Sequence, residues 1–261
     1  MAANEERPPT TDEIAILRQH LGHFIEENGE DWLNHQDLNR FLEEDDYVGR
    51  FFKHCTTVPG DHLKNTEAMI HRTFKWRKAN KVDEIVQLDP SLKAKGTLYL
   101  RNRDADGKQL LVFDCKKHFK SEVKIEDMQK MLIYFLERVD REDEDGGMVT
   151  IVYDCSGSGL KNLDMEYIRY MIDILRDYYP WKFKYILVLN MPCVLSAAWK
   201  IIKSLLPTAA VKKIKFIDQT SVQEYIKPDQ TLAEWGGTDT WKYEFVEEKV
   251  RADGDAEVAI N

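Results

Sequence analysis

Apolar residues recur along this chain with two distinct periods, and the change between them divides it. Ile14, Leu17, Leu21, Phe24 and Ile25 share one helical face, with Thr11 or Asp12 as the expected N-cap and Gly29 as the stop. Tyr47, Val48, Phe51, Phe52 and Cys55 mark a second helix, broken by Pro59-Gly60. Leu63, Glu67, Ile70, Phe74 and Arg77 continue on a third that starts near Asp61. Residues 12–80 therefore read as a helical lobe, preceded by a flexible N-terminus over residues 1–11.

Beyond that point strands alternate with helices. Thr97 to Arg101 and Gln109 to Asp114 read as strands joined at Asp106-Gly107, a dipeptide suited to a tight hairpin. Ile125, Met128, Met131, Leu132, Phe135, Leu136 and Val139 predict a long helix, ended in solvent by the acidic run Glu142 to Asp145. Met148 to Tyr153 reads as a buried strand, and Met165 to Leu175 as a helix stopped by Pro180. Tyr185 to Leu189 is the next strand, Val194 to Leu206 a helix, and Ile214 to Ile217 a last short strand. Strands separated by long helices need crossovers, so the fold class is α/β with a mostly parallel sheet. The helices from Ile125 and Met165 are expected to cover one face of it. Residues 81–245 form this second lobe, and residues 246–261 read as a flexible acidic tail.

Composition excludes several function classes. The 261 residues are 43% apolar and 32% charged, an ordinary globular balance. A net charge of -9 argues against nucleic acid as a partner, since that binding needs a basic excess. Cys55, Cys115, Cys155 and Cys193 stand far apart without a CxxC pair, so free thiols are expected rather than a metal cluster. The polar start and the lack of a long apolar run predict a soluble, cytoplasmic monomer that meets membranes only at their periphery.

The distribution of charge is more informative than its sum. No Asp or Glu occurs from Tyr178 to Ile217, where an even spread of the 46 acids would place about seven. The same window holds Lys182, Lys184, Lys200, Lys203, Lys212, Lys213 and Lys215, expected to be without acidic partners. Such a face would turn toward an anionic surface, at about 1 kcal/mol for each basic residue near it. Lys200, Lys203, Lys212, Lys213 and Lys215 are the candidate headgroup or membrane-docking residues. Within the window, the helix from Val194 to Leu206 is apolar on two flanks: Trp199, Ile202 and Leu206 on one, Ala197, Ile201 and Leu205 on the other. A core helix or a mobile lid over an apolar space would both show this pattern.

Catalytic and metal signatures fail on inspection. Asn102, Asp104, Asp106 and Gly107 imitate an EF-hand opening, but Phe113 stands where a bidentate Glu is required. Gly157-Ser158-Gly159 lacks the third glycine of a dinucleotide loop. There is no G-x-S-x-G and no HExxH among the seven histidines, and His20 and His23 fit surface or packing roles. Asp154 at a strand end has no base placed beside it. No enzyme, cofactor or metal is expected.

Phe41-Leu42, Val48 to Phe52, Phe74-Lys75-Trp76-Arg77, Tyr178-Tyr179-Pro180, Asn190-Met191-Pro192 and Leu232 to Thr238 together resemble the CRAL-TRIO lipid-binding family, which includes phosphatidylinositol transfer proteins. The likeness looks nearest to the CRAL-TRIO portion of motile-sperm-domain-containing proteins, around Asp164-Met165, Asn190-Met191-Pro192 and Gly236-Gly237-Thr238-Asp239. Those relatives usually add a β-rich domain and a membrane anchor, so a shorter paralogue or a fragment is expected. The resemblance implies a helical N-terminal lobe and a lobe whose sheet floors an apolar pocket closed by a gate, here Val194 to Leu206. In phosphatidylinositol-binding members an acid follows the Tyr-Tyr-Pro block and a lysine follows the gate. Lys213 matches the lysine, while Trp181, with one donor and no acceptor, stands at the acid position.

Pattern then assigns Leu111, Phe113, Ile151, Tyr153, Leu187 and Leu189 to the pocket from the strands. Val194, Ala198, Ile201 and Ile202 join them from the gate. The expected function is binding one lipid and transferring or presenting it at anionic membranes. The alternative is an adaptor whose cavity is filled by Trp181, Trp199 and Met191, with a protein partner that the sequence does not identify.

Overall fold

The computed structural model describes residues 6–142 and 147–248. Four helices open the chain: α1 (Thr11–Asn28), α2 (His35–Glu43), α3 (Asp45–Thr56) and α4 (His62–Ala79). α1 is capped by Thr10 rather than by Thr11 or Asp12. Glu13 sits at the third helical position, so its carboxylate accepts from the Thr10 amide at 2.8 Å while the Thr10 hydroxyl accepts from the Glu13 amide. Arg7 binds that same carboxylate with both terminal nitrogens and lies over the Phe52 ring. Residues 6–10 are thereby fastened to the lobe, a correction to the flexible start expected over 1–11; residues 1–5 lie outside the described residues. Phe41, Phe51 and Phe74 meet edge to face at its centre, with ring centroids 5.8 to 6.3 Å apart.

The second lobe contains α5 (Pro90–Lys95), β1 (Leu98–Arg103), β2 (Gln109–Asp114), α6 (Ile125–Glu142), β3 (Val149–Asp154), α7 (Met165–Asp177), β4 (Phe183–Leu189), α8 (Ser196–Ser204), α9 (Thr208–Lys213) and β5 (Ile214–Ile217). The strands follow one another across a single sheet in chain order. β1 and β2 pair antiparallel, and every later neighbour is parallel. This is the mixed α/β architecture that the alternation of elements predicts.

The hairpin forms at Asp106-Gly107, with Gly107 in the left-handed region. Asp104 organises it by accepting from the amides of Asp106 and Lys108, while its other oxygen accepts from the Thr150 hydroxyl on β3. The EF-hand imitation is thus a turn. α6 and α7 cover one face of the sheet, burying Leu111, Met131, Leu132, Phe135, Ile151 and Tyr167. The other face is closed by the segment after β5, through Val222, Ile226, Leu232 and Trp235. Trp235 is 1% exposed, and its indole donates to Asp154 at 2.9 Å, so Asp154 serves structure. Gly237 follows because a Cβ there would meet the Thr231 carbonyl oxygen at 2.1 Å.

The lobes are joined by buried charge. Arg77 on α4 reaches Asp37 on α2 at 2.8 Å and grips Glu137 on α6 through two bonds of 2.8 and 2.9 Å. Tyr179 donates to the same Glu137 at 2.6 Å. One helical turn on, Asp140 is held by Arg50 at 2.7 Å and Lys182 at 2.9 Å. Burial opposes the charge on Asp140 and Glu137, yet these cations hold both below the usual carboxylate range. Residues 143–145 of the acidic run lie outside the described residues, as do residues 249–261. Of the tail expected from residue 246, the described part is anchored: Arg138 donates to the Val246 and Glu247 carbonyls, and Arg141 binds Glu248.

Candidate functional site

A cavity of about 1270 Å³ lies between the sheet, α7, α8 and α9. It exceeds the roughly 300–1,000 Å³ typical of sites for drug-sized ligands. Phe113 and Tyr153 at the strand ends form its floor with Ile186 and Val188 of β4. α7 supplies Ile168, Met171, Ile172 and Leu175, and the opposite wall is Leu195, Ala198, Trp199 and Ile202 from the α8 region.

Of the pocket residues assigned by pattern, Phe113, Tyr153, Ala198 and Ile202 lie on the wall. Leu111 and Ile151 point to the same side of the sheet but one pleat earlier, where α6 and α7 cover them completely. Leu187 and Leu189 point the opposite way, into the core beneath Val222 and Trp235. The cause is an irregularity in pairing: Val149 opposes Phe183 but Ile151 opposes Ile186, so β4 holds one extra residue and its alternation inverts. Val194 and Ile201 are 51% and 52% exposed, on the outside of the helix rather than in the cavity. Ile186, Val188 and the α7 row escaped the sequence reading. Ile168 and Ile172, widening the α7 stripe beyond what the sheet covers, were the available signal.

α8 covers the cavity but is itself little buried. Among its residues, Ala198 alone is buried, and its N-terminus carries no side-chain cap. Its two apolar flanks separate as expected from the wheel. Trp199, Ile202 and Leu206 face the cavity, with Trp199 edge-on to Phe216 at 4.9 Å, while Ile201 and Leu205 face solvent. The unpredicted α9 follows Pro207 and frames the mouth with Lys212 and Lys213.

The lysine window resolves into three groups. Lys182 and Lys184 are not unpartnered, because the chain returns Asp140 and Asp106 to them, the latter at 2.5 Å. Lys215 falls on the same side of β5 as Ile217, away from the cavity-facing Ile214 and Phe216, and so leaves the docking set. Lys200, Lys203, Lys212 and Lys213 remain around the lid and mouth, without an ion pair among the described residues. Lys213 packs its ammonium 4.1 Å from the Trp181 ring centroid, and burial lowers its pKa. Trp181 thus takes the acid's place as a ring partner. Its amide donates to His54 Nδ1 at 3.3 Å, and burial together with Lys213 pushes His54 down to about 4.

Polar groups gather at the opposite end, beside the α7 N-terminus. His118 Nε2 lies 3.1 Å from Asp164. Burial opposes the Asp164 charge, but the Tyr167 amide and the His118 ring hold it below the usual range. His118 Nδ1 and the Tyr167 hydroxyl are buried without partners among the described residues. No group of three or more His, Cys, Asp or Glu side chains among those residues is arranged to hold a metal ion, and no described helix is long and apolar enough to cross a membrane.

Comparison with known proteins fits this geometry. The family model described as CRAL/TRIO domain matches residues 93–237. A CRAL-TRIO domain-containing protein of Schizosaccharomyces pombe is 25% identical over 58% of this chain and 35% of its own length. The phosphatidylinositol transfer protein CSR1 of Eremothecium gossypii is 26% identical over 43% of this chain and 25% of its own. This chain spans about a third of the length of the first curated relatives it matches. The crystal structure of Sfh5 superposes with a TM-score of 0.67, covering 94% of each chain at 17% identity, which establishes the fold.

Proposed function

This chain belongs to the CRAL/TRIO domain family, and on that footing we propose that it holds one lipid in the cavity and exchanges it at anionic membranes. The observation that carries the reading is the size of the apolar space, about 1270 Å³ beneath a barely anchored helix. Trp199 and Met191 line that space without filling it. Each methylene of a chain buried there contributes about 0.8 kcal/mol, much as it does in a bilayer, so exchange is nearly balanced and the barrier lies in moving α8. Lys200, Lys203, Lys212 and Lys213 orient the lid toward the leaflet. The exposed Val194, Ile201, Leu205 and Phe216 enter its surface. The setting is peripheral, on the cytoplasmic side of intracellular membranes, and no chemistry is required. The finer kinship, with the CRAL-TRIO portion of motile-sperm-domain-containing proteins, rests on Asp164-Met165 and Gly236 to Asp239.

The test is native mass spectrometry of protein purified from eukaryotic cells, with the released ligand identified. A stoichiometric lipid adduct supports the reading. A bare chain mass that persists after incubation with mixed liposomes replaces it with an adaptor role. Docking is tested separately with Lys200→Glu, Lys203→Glu and Lys212→Glu combined. Loss of three contacts of about 1 kcal/mol each predicts at least ~100-fold weaker binding to phosphatidylserine vesicles, and unchanged binding removes the docking face.

A further inference from the structure

The cavity wall holds a pair of thiols that lipid binding does not use. Cys115 follows the last residue of β2 and Cys155 the last residue of β3, and the two sulfurs are 3.7 Å apart. The parallel register brings them there: Asp114 and Asp154 are directly paired, so the next residues are neighbours across the ladder. Cys115 opens a short 3-10 turn at that point, and its sulfur comes to rest against that of Cys155. Side-chain rotation bringing the sulfurs about 1.7 Å closer would reach bonding distance. Both residues line the cavity, which gives reagents a route to a pair otherwise shielded from bulk solvent.

The other two cysteines have no such setting. Cys55 is buried in the helical lobe against the Met69 sulfur, and Cys193 is exposed. The thiol pair is also electronically uneven. The contact between the two sulfurs, in which either thiol can be the donor, holds the Cys155 thiol below its ordinary range. That same contact, with burial, pushes Cys115 well up. Burial and Asp154 act against the Cys155 thiolate, while Ser158 favours it.

We propose that Cys115 and Cys155 form a reversible two-thiol oxidation site in the cavity wall, with peroxides as its oxidants. The Cys155 thiolate attacks one peroxide oxygen: an S–O bond forms, the O–O bond breaks, and the departing oxygen takes up a proton. Cys115 then attacks the resulting sulfenic sulfur. An S–S bond forms, the S–O bond breaks, and hydroxide leaves with the Cys115 proton as water. Two thiols are oxidised by two electrons and one peroxide is reduced. An external dithiol reverses the bond by exchange.

The experiment treats the reduced full chain with hydrogen peroxide or cumene hydroperoxide, blocks remaining thiols with N-ethylmaleimide and maps the peptides. The expected result is loss of the Cys115 and Cys155 thiols together, with no intermolecular link, a linked Cys115–Cys155 peptide two hydrogens lighter than its parts, and recovery of both thiols with dithiothreitol. Because the pair opens on an apolar space, cumene hydroperoxide should favour it over exposed Cys193 by about tenfold relative to hydrogen peroxide. Cys115→Ser should leave a Cys155 sulfenic acid that dimedone traps. Full alkylation of both Cys115 and Cys155 after conditions that consume Cys193, or a linkage involving Cys55 or Cys193, overturns the proposal.

Discussion

Two regions of this molecule are built around cations and aromatic rings, and they use them oppositely. At the seam between lobes, Arg77 and Lys182 are buried, Arg50 is partly buried, and each meets a carboxylate within 3 Å. At the lid, Lys200, Lys203 and Lys212 stand in solvent beside exposed Val194 and Ile201. A buried charge whose partner is removed has no water to replace it, so the seam fixes one arrangement of the lobes. An exposed charge costs little to leave unpaired, so the lysines on α8 and α9 stay open to the docking role proposed for them. The seam frames the cavity, and under the proposed function the more exposed α8 is the part that moves.

The sharpest way to break this contrast is Arg77→Ala. It strands Glu137 and Asp37 in the interior, and unfolding in urea should show a loss of roughly 3–5 kcal/mol. Binding of the remaining folded protein to anionic vesicles should not change. A loss below about 1 kcal/mol would mean that the seam does not hold the lobes.

Legibility in the sequence divides along the same line. Local periodicity revealed both lobes, the order of their main elements and the Asp106-Gly107 hairpin, because each depends on neighbours a few residues apart. It also revealed the two-flanked α8. The seam was not legible: the partners of Lys182 and Lys184 come from α6 and the hairpin, and nothing local announces a contact so distant in sequence. The floor was half legible. Phe113 and Tyr153 follow from simple alternation, but Tyr185 to Leu189 is apolar at every position and carries no phase to read. The extra residue in β4 then inverted the side chosen. α9, short and uncapped, gave no signal.

His54 joins the two regions, since it is carried by α3 and accepts from Trp181 at the mouth, so pH sharpens the comparison. Its value falls from an ordinary 6.5 to about 4 in the folded chain. The unfolded chain therefore takes up a proton as pH drops through 6.5, while the native chain does not until about 4. The stabilisation is fully present above 6.5 and is lost on the way down to 4. By pH 5 the loss should be roughly 1–2 kcal/mol for this half-buried ring. The carboxylates of the seam, with depressed values, keep their stabilisation through this range and lose it only as pH falls below the ordinary carboxylate values. Stability measured from pH 7 to 5 should fall for the native chain and fall less steeply for His54→Gln, where His71, also lowered by burial, still contributes. An equal slope in both would assign the effect elsewhere.

The smallest expected change in stability is the most informative about the lid. Val194→Ser and Ile201→Ser remove apolar groups that are 51% and 52% exposed. Exposed substitutions away from caps and networks fall within about 0.5 kcal/mol, so the urea midpoint should hardly move. Vesicle binding should behave differently, because these side chains gain burial only when the leaflet supplies it. Losing even part of the roughly 1.5–3 kcal/mol of a fully buried side chain at each position predicts a tenfold or greater drop in partitioning. The pair of measurements separates the two uses of an apolar helix face. If stability falls by more than about 1 kcal/mol, the outer face of α8 packs on the protein and the helix is an ordinary core element. If neither quantity moves, the lysines dock alone and the apolar flank does not enter the membrane. Only unchanged stability with lost partitioning fits a lid whose outer side is completed by a bilayer.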